Sequence, residues 1–161
     1  MAFPQLNQAD NDSIHATLQN VLRRSEARLV LFVERAGYLI ASEGNDQGLD
    51  ATTMATLATN AYEATQFIAK LIEEADFNAM YQQGEKHSLY WLRVDDDALL
   101  LVIFPPQAGA GLVKLYGQQA AKELATQLAV ARERAPEALF DPADKNPAQL
   151  SDLFKRDPGV A

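Results

Sequence analysis

The sequence predicts an α+β sandwich of the order αββαβββα, a five-stranded, mainly antiparallel sheet with helices on both faces. Three observations carry that expectation. Apolar residues recur at helical spacing in three separated stretches. Between these stretches lie runs rich in Val, Ile, Leu, Phe and Tyr that suit strands. Neighbouring runs are joined by short polar turns, which connect antiparallel strands and are too short for parallel crossovers.

The first helix is expected over residues 8–24, where Ile14, Leu18, Val21 and Leu22 make one apolar stripe and Asp10 or Asp12 can cap the start. The period then changes. Residues 28–34 and 38–42 read as a hairpin joined by Arg35, Ala36 and Gly37, with Gly37 supplying the positive φ of a tight turn.

A long helix is expected over residues 50–74, capped by Asp50. At about 100° per residue, Met54, Leu57, Ala58, Ala61, Thr65, Ile68 and Ile72 share the face expected to meet the sheet. Thr52, Thr56, Thr59, Glu63, Gln66, Phe67 and Lys70 lie on the far side, with Ala55, Tyr62 and Ala69 on a flank.

Three more strands follow, over residues 78–83, 87–94 and 98–104, the last two joined at Asp95, Asp96 and Asp97. "PPQAGAG" breaks the chain. A closing helix is expected over 111–134, with Leu112, Leu115, Leu124, Leu128 and Ala131 as its inner stripe. These elements make one domain, residues 8–134. Residues 135–161 contain Pro136, Pro142, Pro147 and Pro158 and few core residues, and are expected to form a flexible tail. Within it "NPAQLSDLFK" predicts a short helix over 147–156, with Leu150, Leu153 and Phe154 on one side as anchors for a groove.

Composition narrows the function. The net charge is −8 and the pI about 4.7, the wrong sign for a nucleic-acid backbone or an anionic membrane surface. Cysteine is absent, which removes disulfides, thiolate metal sites and cysteine nucleophiles and suits a cytoplasmic protein. The N-terminus has neither the basic nor the apolar region of a signal peptide. The longest apolar run, residues 98–104, is far short of the ~20 residues of a membrane helix, so no membrane insertion is expected.

The chemistry of catalysis is mostly missing. Gly109 and Gly111 open a helix, but the third glycine of a dinucleotide fingerprint would fall at Lys114. Three adjacent aspartates on a turn diverge and read as a solvated tip, not a metal cage. His15 and His87 have no ligand or triad partner at useful spacing. No catalytic residue, metal or cofactor is expected.

The order and several segments resemble the roadblock (dynein light-chain roadblock) superfamily. "VLFVERAGYLIASEG" is similar to that family's first hairpin and "LDATTMATLATNAYEATQFIAKLI" to its central helix. "HSLYWLRVDDDALLLVIFPP" is similar to its last hairpin and "GLVKLYGQQAAKELATQL" to its closing helix. The resemblance spans residues 14–134 and is strongest to the bacterial MglB-type members. It implies a homodimer in which paired central helices form a platform beside a sheet continued across the subunits. It also implies a partner, a Ras-like small GTPase of the MglA type, whose hydrolysis is stimulated without an arginine finger, in polarity or motility control. The central helix here carries no arginine and a single lysine, Lys70, which agrees; Arg156 of the tail stands apart.

Under that resemblance the neutral Ala/Thr face becomes a candidate interface. Small uncharged residues allow close approach and cost little to desolvate. Thr52, Ala55, Thr56, Thr59, Tyr62, Glu63, Gln66, Phe67 and Lys70 are the candidate dimer and GTPase platform, with Phe67 as anchor and Glu63 and Lys70 as rim charges. Two other readings remain open: a roadblock adaptor without effect on hydrolysis, and a small-molecule sensor module, which would need an apolar pocket with convergent polar groups.

Overall fold

The computed structural model describes residues 2–134. The tail, with Leu150, Leu153, Phe154 and Arg156, lies outside the described residues. The elements are α1 (Gln8–Ser25), β1 (Leu29–Glu34), β2 (Leu39–Gly44), α2 (Ala51–Leu71), β3 (Ala79–Gln82), β4 (Ser88–Arg93), β5 (Ala98–Phe104) and α3 (Ala110–Glu133). The strands form one antiparallel five-stranded sheet in the order β2-β1-β5-β4-β3.

β1 and β5 sit at the centre, and their sequences, LVLFVE and ALLLVIF, are apolar almost throughout. The reason is that both faces of the sheet are covered. Val30, Phe32, Leu100 and Val102 point to the side of α1 and α3, where Ile14, Leu18, Val21, Leu124 and Leu128 complete one core. Leu29, Leu31, Val33, Leu99 and Leu101 point the other way and meet Ala55, Ala58 and Tyr62 of α2. The period-two alternation of a strand thus feeds two cores at once.

Local signals set the element ends. α1 begins one turn earlier than Asp10 or Asp12 would cap it. Asn7 is the N-cap, its side chain accepting from the Asp10 N–H at 2.9 Å while Asp10 accepts from the Asn7 N–H at 2.8 Å. This reciprocal pair satisfies two N–H groups that the first turn leaves open and stabilises the start by about 1 kcal/mol. Asp50 caps α2 as expected, with Oδ1 accepting from Thr53 N–H at 3.1 Å. Gly37 turns the first hairpin at φ 98°, a region an L side chain rarely enters.

Two expected stripes are rotated from their actual positions. On α3, Leu124, Leu128 and Ala131 are buried as expected, but Leu112 and Leu115 are exposed. Val113, Gly117, Ala120 and Ala121 take the inner places, because small residues let the helix lie close to the sheet. At Gly117 a Cβ would stand 2.7 Å from Leu92 Cδ1. On α2 the rotation is larger. The buried face is Ala55, Ala58, Thr59, Tyr62, Gln66 and Ala69, while Leu57, Ile68, Leu71 and Ile72 are exposed.

Asp95, Asp96 and Asp97 also differ from a simple solvated tip. Arg132 Nη1 donates to Asp95 Oδ2 at 2.8 Å and its Nη2 to Asp97 Oδ2 at 2.9 Å, tying the hairpin to the end of α3. Asp96 alone of the three projects outwards, against Arg93.

Candidate functional site

The exposed side of α2 is the surface that the sequence singled out, and the fold divides the candidate residues. Thr52, Thr56, Phe67 and Lys70 are exposed, and Glu63 is half-buried. Ala55, Thr59, Tyr62 and Gln66 are packed inside the chain's own core. These four, expected as interface residues, therefore offer no surface to a partner. The physical reason is the seat of the helix. Ala55 and Ala58 let α2 approach the sheet, and the ring of Tyr62 fills the core beside them.

Two of these buried residues anchor the segment after α2. Tyr62 Oη donates to Phe77 O at 2.9 Å, and Phe77 N–H donates to Gln66 Oε1 at 3.1 Å. Burial pushes the Tyr62 phenol up to about 12, so it remains a donor at any ordinary pH. The two bonds hold Phe77 and the start of β3 against α2.

Three residues expected to meet the sheet, Leu57, Ala61 and Ile68, instead form an apolar exposed stripe together with Ala64 and Leu71. Leu57, Ala61, Ala64, Ile68 and Leu71 are all exposed and fall within about 80° of one another around the helix. Ile68 also borders an open trough with Thr65, Phe77, Met80 and Gln82, which connects this stripe to β3. Clustered apolar side chains on the outside of a chain make a candidate interaction surface. The signal was present in the sequence as helical periodicity, but periodicity does not say which way the apolar side of a helix faces.

The two sheet edges differ in the same sense. β2 carries a bulge, its register slipping between Phe32 and Val33 so that Ile40 is extra, and it bears a charge, Glu43, near its end. Bulges and charges discourage strand addition. β3 runs in regular register against β4 and consists of Ala79, Met80, Tyr81 and Gln82, with neither charge nor proline. Beside the apolar stripe of α2, β3 is the edge left open to pairing.

On the opposite flank of α2 stands the β1–β2 hairpin. Thr56 Oγ1 donates to Gly37 O at 3.2 Å. Arg35, distant in sequence from α2, reaches Glu63 with Nε at 2.7 Å. It thereby brings a guanidinium to the exposed side of α2, which carries no arginine of its own. At the far end, Lys70 Nζ lies 5.3 Å from the centroid of the Phe67 ring.

His15 pairs with Glu43 at 2.7 Å and His87 meets Arg28 at 3.1 Å, on different parts of the surface. No group of three or more His, Cys, Asp or Glu among the described residues is placed to hold a metal ion. None of the described helices is long and apolar enough to cross a membrane.

A single antiparallel sheet of this order, covered by two helices on one side and by one helix with an apolar outer stripe on the other, is a roadblock-type domain. The Roadblock/LC7 domain family model matches residues 14–104, and the chain belongs to that family. Among solved structures, MglB from Myxococcus xanthus is 31% identical with a TM-score of 0.75, over 79% of this chain and 96% of that one. The gliding protein MglB from Thermus thermophilus is 32% identical with a TM-score of 0.75, over 81% of this chain and 98% of that one. An MglB with a tetrameric arrangement is 33% identical with a TM-score of 0.75, again over 81% of this chain and 98% of that one. No curated protein sequence gives a significant match.

Proposed function

We propose that the chain is a homodimeric, non-enzymatic regulator that binds a Ras-like small GTPase of the MglA type in the cytoplasm and stimulates its GTP hydrolysis, in the control of polarity or motility. The observation that carries this reading is the apolar stripe of α2 lying beside the open β3 edge, in a chain about one-third identical to MglB proteins. Leu57, Ala61, Ala64 and Ile68 would meet the same residues of a second copy, with the two β3 strands continuing the sheet. Burial of such a stripe supplies the main favourable term for association.

Pairing along this stripe leaves the other flank of α2 open, with Thr52, Thr56, Glu63, Phe67 and Lys70. Two such flanks side by side form a broad, nearly neutral platform. That surface suits the switch loops of a GTPase, which a regulator can stabilise in a competent arrangement without contributing a reacting group. The trough between Thr65 and Gln82 is open and lies on the seam, so it supports an interface and not an enclosed ligand site. The tail anchors Leu150, Leu153 and Phe154 remain part of the proposal as a second contact to the partner.

The test is GTP turnover by the MglA-type GTPase of the same genome, with and without the full chain. Acceleration is the expected result. Binding without acceleration would make the chain an adaptor, and absence of binding would remove the GTPase as partner.

A further inference from the structure

Arg35 and Glu63 lie on the platform flank, and the geometry of their contact is lopsided. Arg35 places Nε at 2.7 Å and Nη2 at 2.5 Å from one oxygen of Glu63, Oε1. Its remaining arm, Nη1, donates to Asp96 O at 2.9 Å, and the guanidinium carbon lies 5.7 Å from the centroid of the Tyr62 ring. Each arm of the guanidinium is therefore occupied by its own chain. A carboxylate meeting an arginine fork commonly uses both oxygens. Here Oε2 of Glu63 has no hydrogen bond among the described residues, and the side chain is 41% exposed.

The surroundings make that oxygen conspicuous. Glu63 and Lys70 are the charged residues of α2, and Lys70 already lies by Phe67. The hairpin carrying Arg35 is itself fixed, since Gly37 packs against Thr56 and Thr59 and its carbonyl accepts from Thr56. A carboxylate held from below loses little side-chain freedom when a cation docks on it. The whole chain carries a net charge of −8, which favours a basic group on the approaching surface.

We infer that Glu63 is the specificity-determining acceptor for a lysine or arginine of the partner GTPase, and that Arg35 is the positioning residue that aims its free oxygen outwards. This rests on the functional reading above and deepens it. Arg35 is not itself donated to the partner, because releasing it would break its contacts to Glu63 and Asp96.

The experiment measures association of the full chain with the MglA-type GTPase of the same genome, loaded with a non-hydrolysable GTP analogue, over a range of salt concentrations. Glu63→Gln is expected to slow association roughly threefold to tenfold at low salt and to flatten its salt dependence, with the dimer and Tm retained. Arg35→Lys keeps the charge but lacks the planar fork, and is expected to give a smaller effect of the same kind. A merely structural pair would lower Tm and leave the salt dependence unchanged. If Arg35→Lys does not fold, Glu63→Gln decides alone. Wild-type association by Glu63→Gln at every salt concentration would overturn the inference and leave the GTPase reading standing. Failure of the wild-type chain to bind the GTPase would overturn both.

Discussion

The phenol of Tyr62 donates to the carbonyl of Phe77 at 2.9 Å, from beneath α2 to the segment that leads into β3. This bond fixes the open edge strand relative to the helix that carries the apolar stripe. Tyr62→Phe keeps the ring and removes the donor, leaving a carbonyl short of a partner. The expected cost is about 1–2 kcal/mol, read by urea denaturation. The pH dependence has a definite sign. The folded phenol is raised to about 12 from an ordinary 10, so its contribution is complete below pH 10 and disappears between there and 12. Tyr62→Phe should unfold less steeply with pH over that window.

At the acid end two helix starts respond. Asp10 is held below the usual carboxylate range first by its hydrogen bond from Arg134 and then by the Asn7 N–H. Asp50 is held low by the Thr53 hydroxyl and then by the Thr53 N–H. Lowered folded values mean that this stability is complete above pH 3.8 and is lost as pH falls through the folded values. A double variant, Asp10→Asn with Asp50→Asn, should show a shallower loss of Tm below pH 4 than the parent chain, measured by circular dichroism.

Ile68→Glu places a charge in the middle of the exposed α2 stripe without touching the chain's own core, since Ile68 is 52% exposed. The helix should survive and the association should not. Light scattering should give a monomer with an unchanged far-ultraviolet spectrum; an intact dimer would show that the stripe is covered by something else.

Phe67→Ala removes the exposed aromatic of the platform, where aromatic anchors are enriched at binding hot spots. The dimer should persist, and affinity for the GTPase should fall about tenfold or more by calorimetry. Thr59→Arg is a contrasting case. Thr59 is 3% exposed and its hydroxyl donates to Ala55 O and Thr56 O, so arginine there would disrupt the packing under the first hairpin. Its effect should appear as a large drop in Tm and not as selective loss of partner binding.

Gly117→Val tests the close seat of α3. A Cβ at this position already comes within 2.7 Å of Leu92 Cδ1, and two further methyls enlarge the conflict. A cost of about 1–3 kcal/mol in denaturant unfolding is expected, the usual range for overpacking.

The sequence alone determined the order of elements, most of their ends and the two central strands. The cause is local: periodicity, the Asp50 cap and the turn at Gly37 act within a few residues of one another, and the backbone obeys them before any distant contact forms. The resemblance to roadblock proteins was legible for the same reason, since it resides in the sequence of those short segments. Only the tertiary structure decided how α2 is turned. Judged as one chain, Leu57, Ile68 and Ile72 belonged inside, because burial favours large apolar side chains. The buried face is instead Ala55, Ala58, Thr59, Tyr62, Gln66 and Ala69, small residues packed around one large ring, and the larger aliphatic residues stay exposed. The meeting of Arg35 with Glu63 and of Arg132 with Asp95 and Asp97 was equally hidden. These pairs join residues far apart in the chain, and no local rule records which distant charges a fold will bring together.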